Sequence, residues 1–396
     1  MRDFRMDLPS DVLYILDRMK ASGYTAHVVG GSVRDSMLGR PLGDFDITTN
    51  ALPNETKAVF VGERIIETGI KHGTVTLVLG GVPYEITTYR VDGEYADNRH
   101  PDSVTFTDRL VEDLMRRDFT VNAMAYNPEM GLYDPYDGTS DAEARTIRAV
   151  GDPYLRFSED ALRILRALRF ASVLGFMIEE RTAEAARDKA HLVDGVSRER
   201  IYVELKKLVM GVDATRVLTE YSELLAPSLS GLLVRSTPDE GLLAKTDFCT
   251  RFASLYLINS HDPATHAEEA LTALRSDKLT RTRVKTMLEG YNRVELTDKR
   301  SVLLALSRLG EGAVRDVLGL GILMKRYGDA ETSLVDEAIA SGVPYTLSAL
   351  ALSGKDVASL GFRGEMIGAK LKELLEAVIN GEVENEKESL LAYIGN

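Results

Sequence analysis

The chain has 396 residues, 44% hydrophobic and 28% charged, a composition that excludes disorder and gives room for roughly two to four domains. A single cysteine, Cys249, excludes an intrachain disulfide and a thiolate zinc cluster, and no apolar run approaches the length of a membrane span. The net charge of −13 argues against a polyanionic partner, but residues 141–210 hold 13 Lys and Arg against 12 Asp and Glu, which puts that stretch at +1 and the remainder at −14.

The opening residues, MRDFRMDLPS, lack the apolar core of a secretion signal, so a cytoplasmic protein is expected. DVLYILDRMKASG (11–23) predicts a helix closing at Gly23, and TAHVVGG a short strand. SVRDSMLG (32–39) predicts a short helix capped by Ser32 and closed by Gly39, and GDFDITTN (43–50) a strand. GTVTLVLGGVPYEITTYR (73–90) predicts a β-hairpin about Gly80-Gly81. The polar segment RVDGEYADNRHPDSVTFTDRL (90–110) has no regular pattern and is expected to be mobile. Beyond Pro153 helical periodicity dominates, at 158–174, 179–190, 197–211 and onward through 330, with a Pro- and Gly-containing seam near 226–241. The fold class is therefore an α/β (α+β) head followed by an all-α remainder.

The head gathers the chemistry. In VVGGSVRD, two glycines follow a strand and precede a helix; Gly30 and Gly31 would let a phosphate approach the backbone, with Arg34 one turn on, although a plain tight turn has the same sequence. Asp44 and Asp46, two residues apart on an extended strand, project to one face. They suit Mg²⁺, which takes hard oxygens together with substrate phosphates; otherwise they are a solvated pair. Glu85 in PYEITTYR is the candidate third carboxylate of a two-metal phosphoryl-transfer site.

GGSVRDSMLGRPLGDFDITTN resembles the signature of class II tRNA nucleotidyltransferases, the CCA-adding enzymes and their poly(A) polymerase relatives, within the DNA-polymerase-β-like superfamily. RRDFTVN (116–122), EDALR (159–163) and ERIYVE (199–204) continue the resemblance, closely over residues 20–210 and more loosely to the C-terminus. It implies a seahorse-shaped nucleotidyltransferase head (1–150), neck (151–211), body (212–330) and tail (331–396). It implies Asp44 and Asp46 as metal ligands and, with Glu85, as the catalytic group. It also implies two Mg²⁺ ions during catalysis, CTP and ATP as substrates, and the acceptor–TΨC arm of tRNA as partner, with no membrane and no obligate protein partner.

SEDALRILRALRF (158–170) predicts a helix starting at Ser158, with an apolar stripe and an arginine stripe, Arg163, Arg166 and Arg169. Such a stripe is either a solvated face or a set of planar bidentate donors. Asp160 and Arg163, three residues apart, are neighbours on one face. Asp160 can accept from the amino group that cytosine and adenine share and Arg163 can donate to their ring acceptors, whereas guanine and uracil leave acceptors facing each other, at about 1–3 kcal/mol; selection of CTP and ATP by the protein is what the resemblance implies. The resemblance places Gly31, Arg34, Arg117, Asp118, Arg166 and Arg169 at the nucleotide and Asn122 near its ribose, and puts Arg363 and Lys370 of GFRGEMIGAKLK in the tRNA-binding tail.

Three rival readings remain: an A-adding enzyme working with a separate CC-adding one, a poly(A) polymerase, and a non-catalytic RNA-binding protein with a relic head. The acidic, short C-terminus disfavours the second, and the joint presence of carboxylates, Arg117 and Asp160/Arg163 the third. A His-Asp phosphohydrolase in NSHDPATHAEE (259–269) is disfavoured by the shortage of histidines. Family members that reach the terminal A keep the segment here spanning 90–110, which predicts A addition.

Overall fold

The computed structural model describes residues 4–93 and 104–395. The chain divides into two compact units, Met1–Leu224 and Leu225–Asn396.

The strands of the first unit, in chain order, are β1 (Ala26–Val29), β2 (Asp46–Thr49), β3 (Arg64–Ile66), β4 (Thr74–Leu79), β5 (Val82–Thr88), β6 (Arg90–Asp92), β7 (Val104–Phe106), β8 (Ala125–Asn127), β9 (Gly131–Tyr133), β10 (Thr146–Ile147) and β11 (Met177–Ile178). Seven form one mixed sheet in the order β3-β4-β5-β2-β1-β8-β9, in which β2 runs parallel to β5 and antiparallel to β1. Alternation along the strands sends Val28, Ile47, Leu77 and Ile86 to one face. There they join Val12, Ile15 and Met19 of α1 (Ser10–Ala21) and Val59 of α3 (Pro53–Val59) in a core cluster. The opposite face therefore carries His27, Asp46, Thr48 and Glu85, so the central strands are apolar on one side and polar on the other.

The helices named from here are α2 (Gly31–Met37), α4 (Leu110–Met115), α5 (Gly138–Glu143), α6 (Pro153–Glu159), α7 (Leu162–Leu174), α8 (Glu180–Asp188), α9 (Arg198–Val209) and α10 (Ala214–Glu220). Four local expectations change. Strand β2 starts at Asp46, so Asp44 lies in the irregular stretch before it and strand alternation does not set its direction. Ser32 does not cap α2; the helix begins at Gly31, and the Ser32 hydroxyl donates back to the Val29 carbonyl at 3.5 Å. The segment 90–110, expected to lack regular structure, is paired at its flanks as the antiparallel ribbon β6–β7 and enters α4 at Leu110, while its residues 94–103 lie outside the described residues.

The fourth concerns the helix expected over 158–174, which is two helices. Asp152, whose carboxylate accepts from the Tyr154 amide, and Pro153 at the first turn start α6 earlier than the apolar spacing suggested. Ser158 sits inside α6, bonded to the Tyr154 carbonyl. At Asp160 the backbone turns extended (φ −140°, ψ 103°) and the carboxylate accepts from the Leu162 amide at 3.0 Å, restarting the helix as α7. A short carboxylate that bonds nearby amides competes with the helical ladder, and an i, i+3 pattern does not report that competition.

The second unit is helical, including Phe248–Asn259, Pro263–Ala273, Lys278–Arg293, Lys299–Leu309, Glu311–Leu323, Asp329–Ala340 and Glu365–Asn380. Asp247, Asp262, Asp277 and Asp298 each cap the N-terminus of the helix that follows. Val302, Leu306, Val317, Val335, Leu374 and Leu390 lie in one core cluster. His266 of NSHDPATHAEE is inside a helix, bonded to the Ser230 carbonyl and to Ser260. Among the described residues no helix is long and apolar enough to cross a membrane.

Candidate active site

Parallel pairing of β2 with β5 sets Asp46 directly opposite Glu85. Asp46 is open to solvent, yet enough protein surrounds it that burial pushes its carboxyl up; Arg117 pulls it down and Asp44 adds to the upward push. Glu85 is also pushed up, first by burial, then by Asp46 and Asp44. Three carboxylates thus feel one another across the strand ends, with Arg117 as a nearby cation. Among the described residues, no three His, Cys, Asp or Glu side chains close into a metal-ready cluster.

Arg117 lies under the glycine turn. A Cβ at Gly30, whose φ is +76°, would come within 2.9 Å of its Nη1, so the glycine makes room for the guanidinium as well as for the turn. The Arg117 Nη1 donates to the Asn122 carbonyl at 3.5 Å, and its Nη2 lies 3.8 Å from Asp113. Asp113, fully buried in α4, accepts from Arg116 at 2.7 Å, from the Thr48 hydroxyl at 3.2 Å and from the Arg90 amide at 3.4 Å. It therefore ties the RRDFTVN motif to strand β2.

A second network spans α2, the residues after α4, and α7. Arg34, buried in α2, pairs with Asp35 at 2.9 Å and donates to the Asn122 side-chain oxygen. The Asn122 amide donates to Asp118 at 3.1 Å, and the other Asp118 oxygen receives Arg166 at 2.6 Å and 2.8 Å. Burial pushes Asp118 up, but Arg166, the Asn122 hydrogen bond and Arg163 outweigh it and hold the carboxyl at about 2. Asp118 is engaged by protein donors on both oxygens, which fits a brace between nucleotide-facing groups. Arg169 lies 2.6 Å from Glu204 of α9, and Arg166 3.8 Å from the same carboxylate.

Asp160 and Arg163 are neighbours in sequence that face different partners. Arg163, 8% exposed, pairs with Glu159 at 2.6 Å and donates to the Arg116 carbonyl at 3.0 Å. Asp160 pairs with Arg200 of α9 at 2.8 Å. Each is thus held by its own protein partners, Asp160 by Arg200 of α9 and Arg163 by Glu159 and the Arg116 carbonyl. Gly31 stands beside Arg34, 3.6 Å from a Cβ placed there. In the second unit, Arg363 is exposed, while Lys370 pairs with Glu373 at 2.8 Å and lies 5.7 Å from the Phe362 ring centre.

Residues 26–148 match the family described as the Poly A polymerase head domain, and residues 175–226 the family described as the probable RNA and SrmB-binding site of polymerase A. A CCA-adding enzyme of Geobacillus thermodenitrificans is 38% identical, over 96% of this chain and 95% of its own. One from Streptococcus thermophilus is 34% identical, over 98% and 97%. The chain belongs to the family of CCA-adding enzymes. A crystal structure of the Bacillus stearothermophilus CCA-adding enzyme in complex with CTP superimposes with a TM-score of 0.83 at 32% identity, covering 98% of each chain. The protein is thus a tRNA nucleotidyltransferase, a nucleotidyltransferase head followed by helices.

Several residues of this CCA-adding enzyme's site escaped the sequence reading. Glu159 holds Arg163, Arg200 holds Asp160, Glu204 holds Arg169, and Asp113 holds Arg116. A usable signal existed for two of them: Arg200 and Glu204 lie four apart on one helix, one face meeting the acid and the arginines of another. For Asp113 the i, i+3 spacing reports only Arg116; its other partners, Thr48 on β2 and the Arg90 amide on β6, are distant in sequence.

Proposed function

We propose that this enzyme builds or repairs the 3′-terminal CCA of tRNA from CTP and ATP, without a nucleic-acid template, releasing pyrophosphate. One observation carries the reading: Asp46 and Glu85 in register at the sheet centre, electrostatically coupled to Asp44 and to Arg117. Mutually repelling carboxylates on a solvent-exposed face are a donor set for a hard divalent cation that completes its shell with substrate phosphates. Asp44 and Asp46 would hold Mg²⁺, two ions during transfer, with Glu85 beside them. The metal supplies neutralisation of the reacting phosphate and activation of the tRNA 3′-hydroxyl.

The chain's own part is positioning, as phosphoryl transfer requires. Arg34, Arg117, Arg166 and Arg169 form the cationic lining for the triphosphate beside Gly31, with Asp118 and Asn122 bracing it near the ribose. Asp160 and Arg163 select cytosine and adenine once the base displaces their present partners. Residues 1–150 act as head, 151–211 as neck, 212–330 as body and 331–396 as tail, with Arg363 and Lys370 meeting the acceptor–TΨC arm, and the enzyme acts in the cytoplasm. The carboxylate–arginine site and the kinship over nearly the whole chain favour full CCA addition over A-only addition, a poly(A) polymerase or a relic head. The test is incorporation of labelled CTP and ATP into a tRNA lacking CCA by the wild-type and Asp46→Asn enzymes. Activity in the first and none in the second is expected; equal activity removes the carboxylate site.

A further inference from the structure

Phe170 is the one aromatic of SEDALRILRALRF, and its ring gathers cations. The Arg169 guanidinium carbon lies 3.6 Å from the ring centre, that of Arg34 at 5.2 Å and that of Arg166 at 5.5 Å. All three fall inside the range in which a cation is attracted to an aromatic face. The ring is 6% exposed and meets Phe119 edge-on, at 5.7 Å between centres and 79° between planes.

Core packing explains the Phe119 contact and leaves the rest unexplained. Adjacent residues on a helix do not face each other, so the Arg169 side chain must curl back to reach the ring of its neighbour. Its Nε stands 2.6 Å from Glu204 but is not aligned for a hydrogen bond, so that carboxylate balances the charge without fixing the guanidinium plane. Arg34 comes from a different element, α2, and arrives at the same ring. Three like charges are thus collected by one neutral group that attracts each of them, while Asp35, Asp118 and Glu204 each hold one from outside.

We propose that Phe170 is a positioning residue of the nucleotide site: its π-face holds Arg34, Arg166 and Arg169 together and sets their orientation for the triphosphate. The inference rests on the reading of these arginines as the triphosphate lining. The ring attracts the cations through its quadrupole, which fluorination weakens while the shape is nearly kept. Leucine would preserve the apolar character and remove the quadrupole outright.

The experiment uses the full-length enzyme with mono-, di- and trifluorophenylalanine at position 170, beside Phe170→Leu. The dissociation constant for CTP and for ATP is measured by calorimetry, with KM, kcat and the melting temperature of each form. The expected result is a graded weakening, reaching about tenfold for the trifluoro ring (~1.4 kcal/mol). It should be equal for CTP and ATP, appear in KM with kcat little changed, and leave the melting temperature and the discrimination against UTP unchanged. A flat affinity series overturns the proposal, and so does a weakening that follows the melting temperature. Arg34→Lys and Arg166→Lys separate the two levels. If they leave CTP binding intact, the triphosphate-lining reading fails; if they weaken it while the fluorinated series stays flat, only the role of Phe170 fails.

Discussion

Asp46 and Glu85 stand opposite each other because a parallel strand pair puts equivalent positions side by side; burial raises the proton affinity of both, Asp44 adds to the push on each, and Asp46 adds to that on Glu85. Asp46→Asn should cut nucleotide incorporation by about a hundredfold or more, the scale of losing a charge-stabilising group at a reacting phosphate. Its melting temperature should stay level or rise, because a repulsion is removed; a large drop would make Asp46 structural. A different residue on the same sheet face should contribute to acid sensitivity. His27 is 3% exposed, its Nδ1 bonded to the Tyr89 hydroxyl at 2.9 Å and its Nε2 without a partner among the described residues. Burial lowers its imidazole to about 4, against ~6.5 in an unfolded chain. Below the unfolded value the unfolded state takes up a proton that the native state refuses, so stability falls as pH drops from 6.5 to 4 and is flat above that window. The shift corresponds to roughly 3 kcal/mol at about 1.4 kcal/mol per pH unit. Urea unfolding of His27→Gln at stepped pH should lack this slope; an unchanged slope would assign it to the carboxylates.

At the scale of elements, the break between α6 and α7 separates the two residues proposed to read the base. The Asp160 carboxylate accepts from the Leu162 amide at the start of α7, and Arg200 of α9 holds its second oxygen, so the residue proposed to select the base also shapes the helix junction. Asp160→Ala should lose discrimination against UTP and GTP, while Arg163→Ala should lose most activity with both CTP and ATP, in single-nucleotide incorporation assays. Unchanged selectivity in the first would put the reading edge elsewhere. The packing of α9 against α7 is secured by Glu204, 6% exposed, between Arg166 and Arg169. Glu204→Gln leaves two guanidinium groups without that charge partner and should cost about 3 kcal/mol in denaturant unfolding, as broken buried pairs do; no change in midpoint would show that Phe170 and Asp118 suffice. These elements also mark what was legible in the sequence. The strand and helix order of the head was, because apolar periodicity and glycine punctuation report local backbone, as in α1, the β4–β5 hairpin and α9. Glu85 was also legible, as the third acid on a strand. The break at Asp160 and the start of β2 were not: the first depends on the Asp160 carboxylate bonding the Leu162 amide and Arg200, 40 residues away, and the second on where the ladder with Val29 and Glu85 begins.

For the whole molecule, the division at Leu224/Leu225 puts every residue of the carboxylate site and the arginine lining in the first unit, and Arg363 and Lys370 in the second. A fragment of residues 1–224 should keep the CTP affinity of the full chain and lose most of its affinity for tRNA in a filter-binding titration. Equal tRNA affinity would confine RNA recognition to the first unit. The kinship runs along nearly the entire chain, so the central claim is tested on the intact protein. The direct measurement is incorporation of each labelled nucleotide by the full-length enzyme on tRNAs ending before C74, at C75 and at A76. The account predicts C, C and A on the first, A alone on the second and nothing on the third, with no UTP or GTP incorporated; addition of A without C, a run of A residues or no addition at all would contradict it.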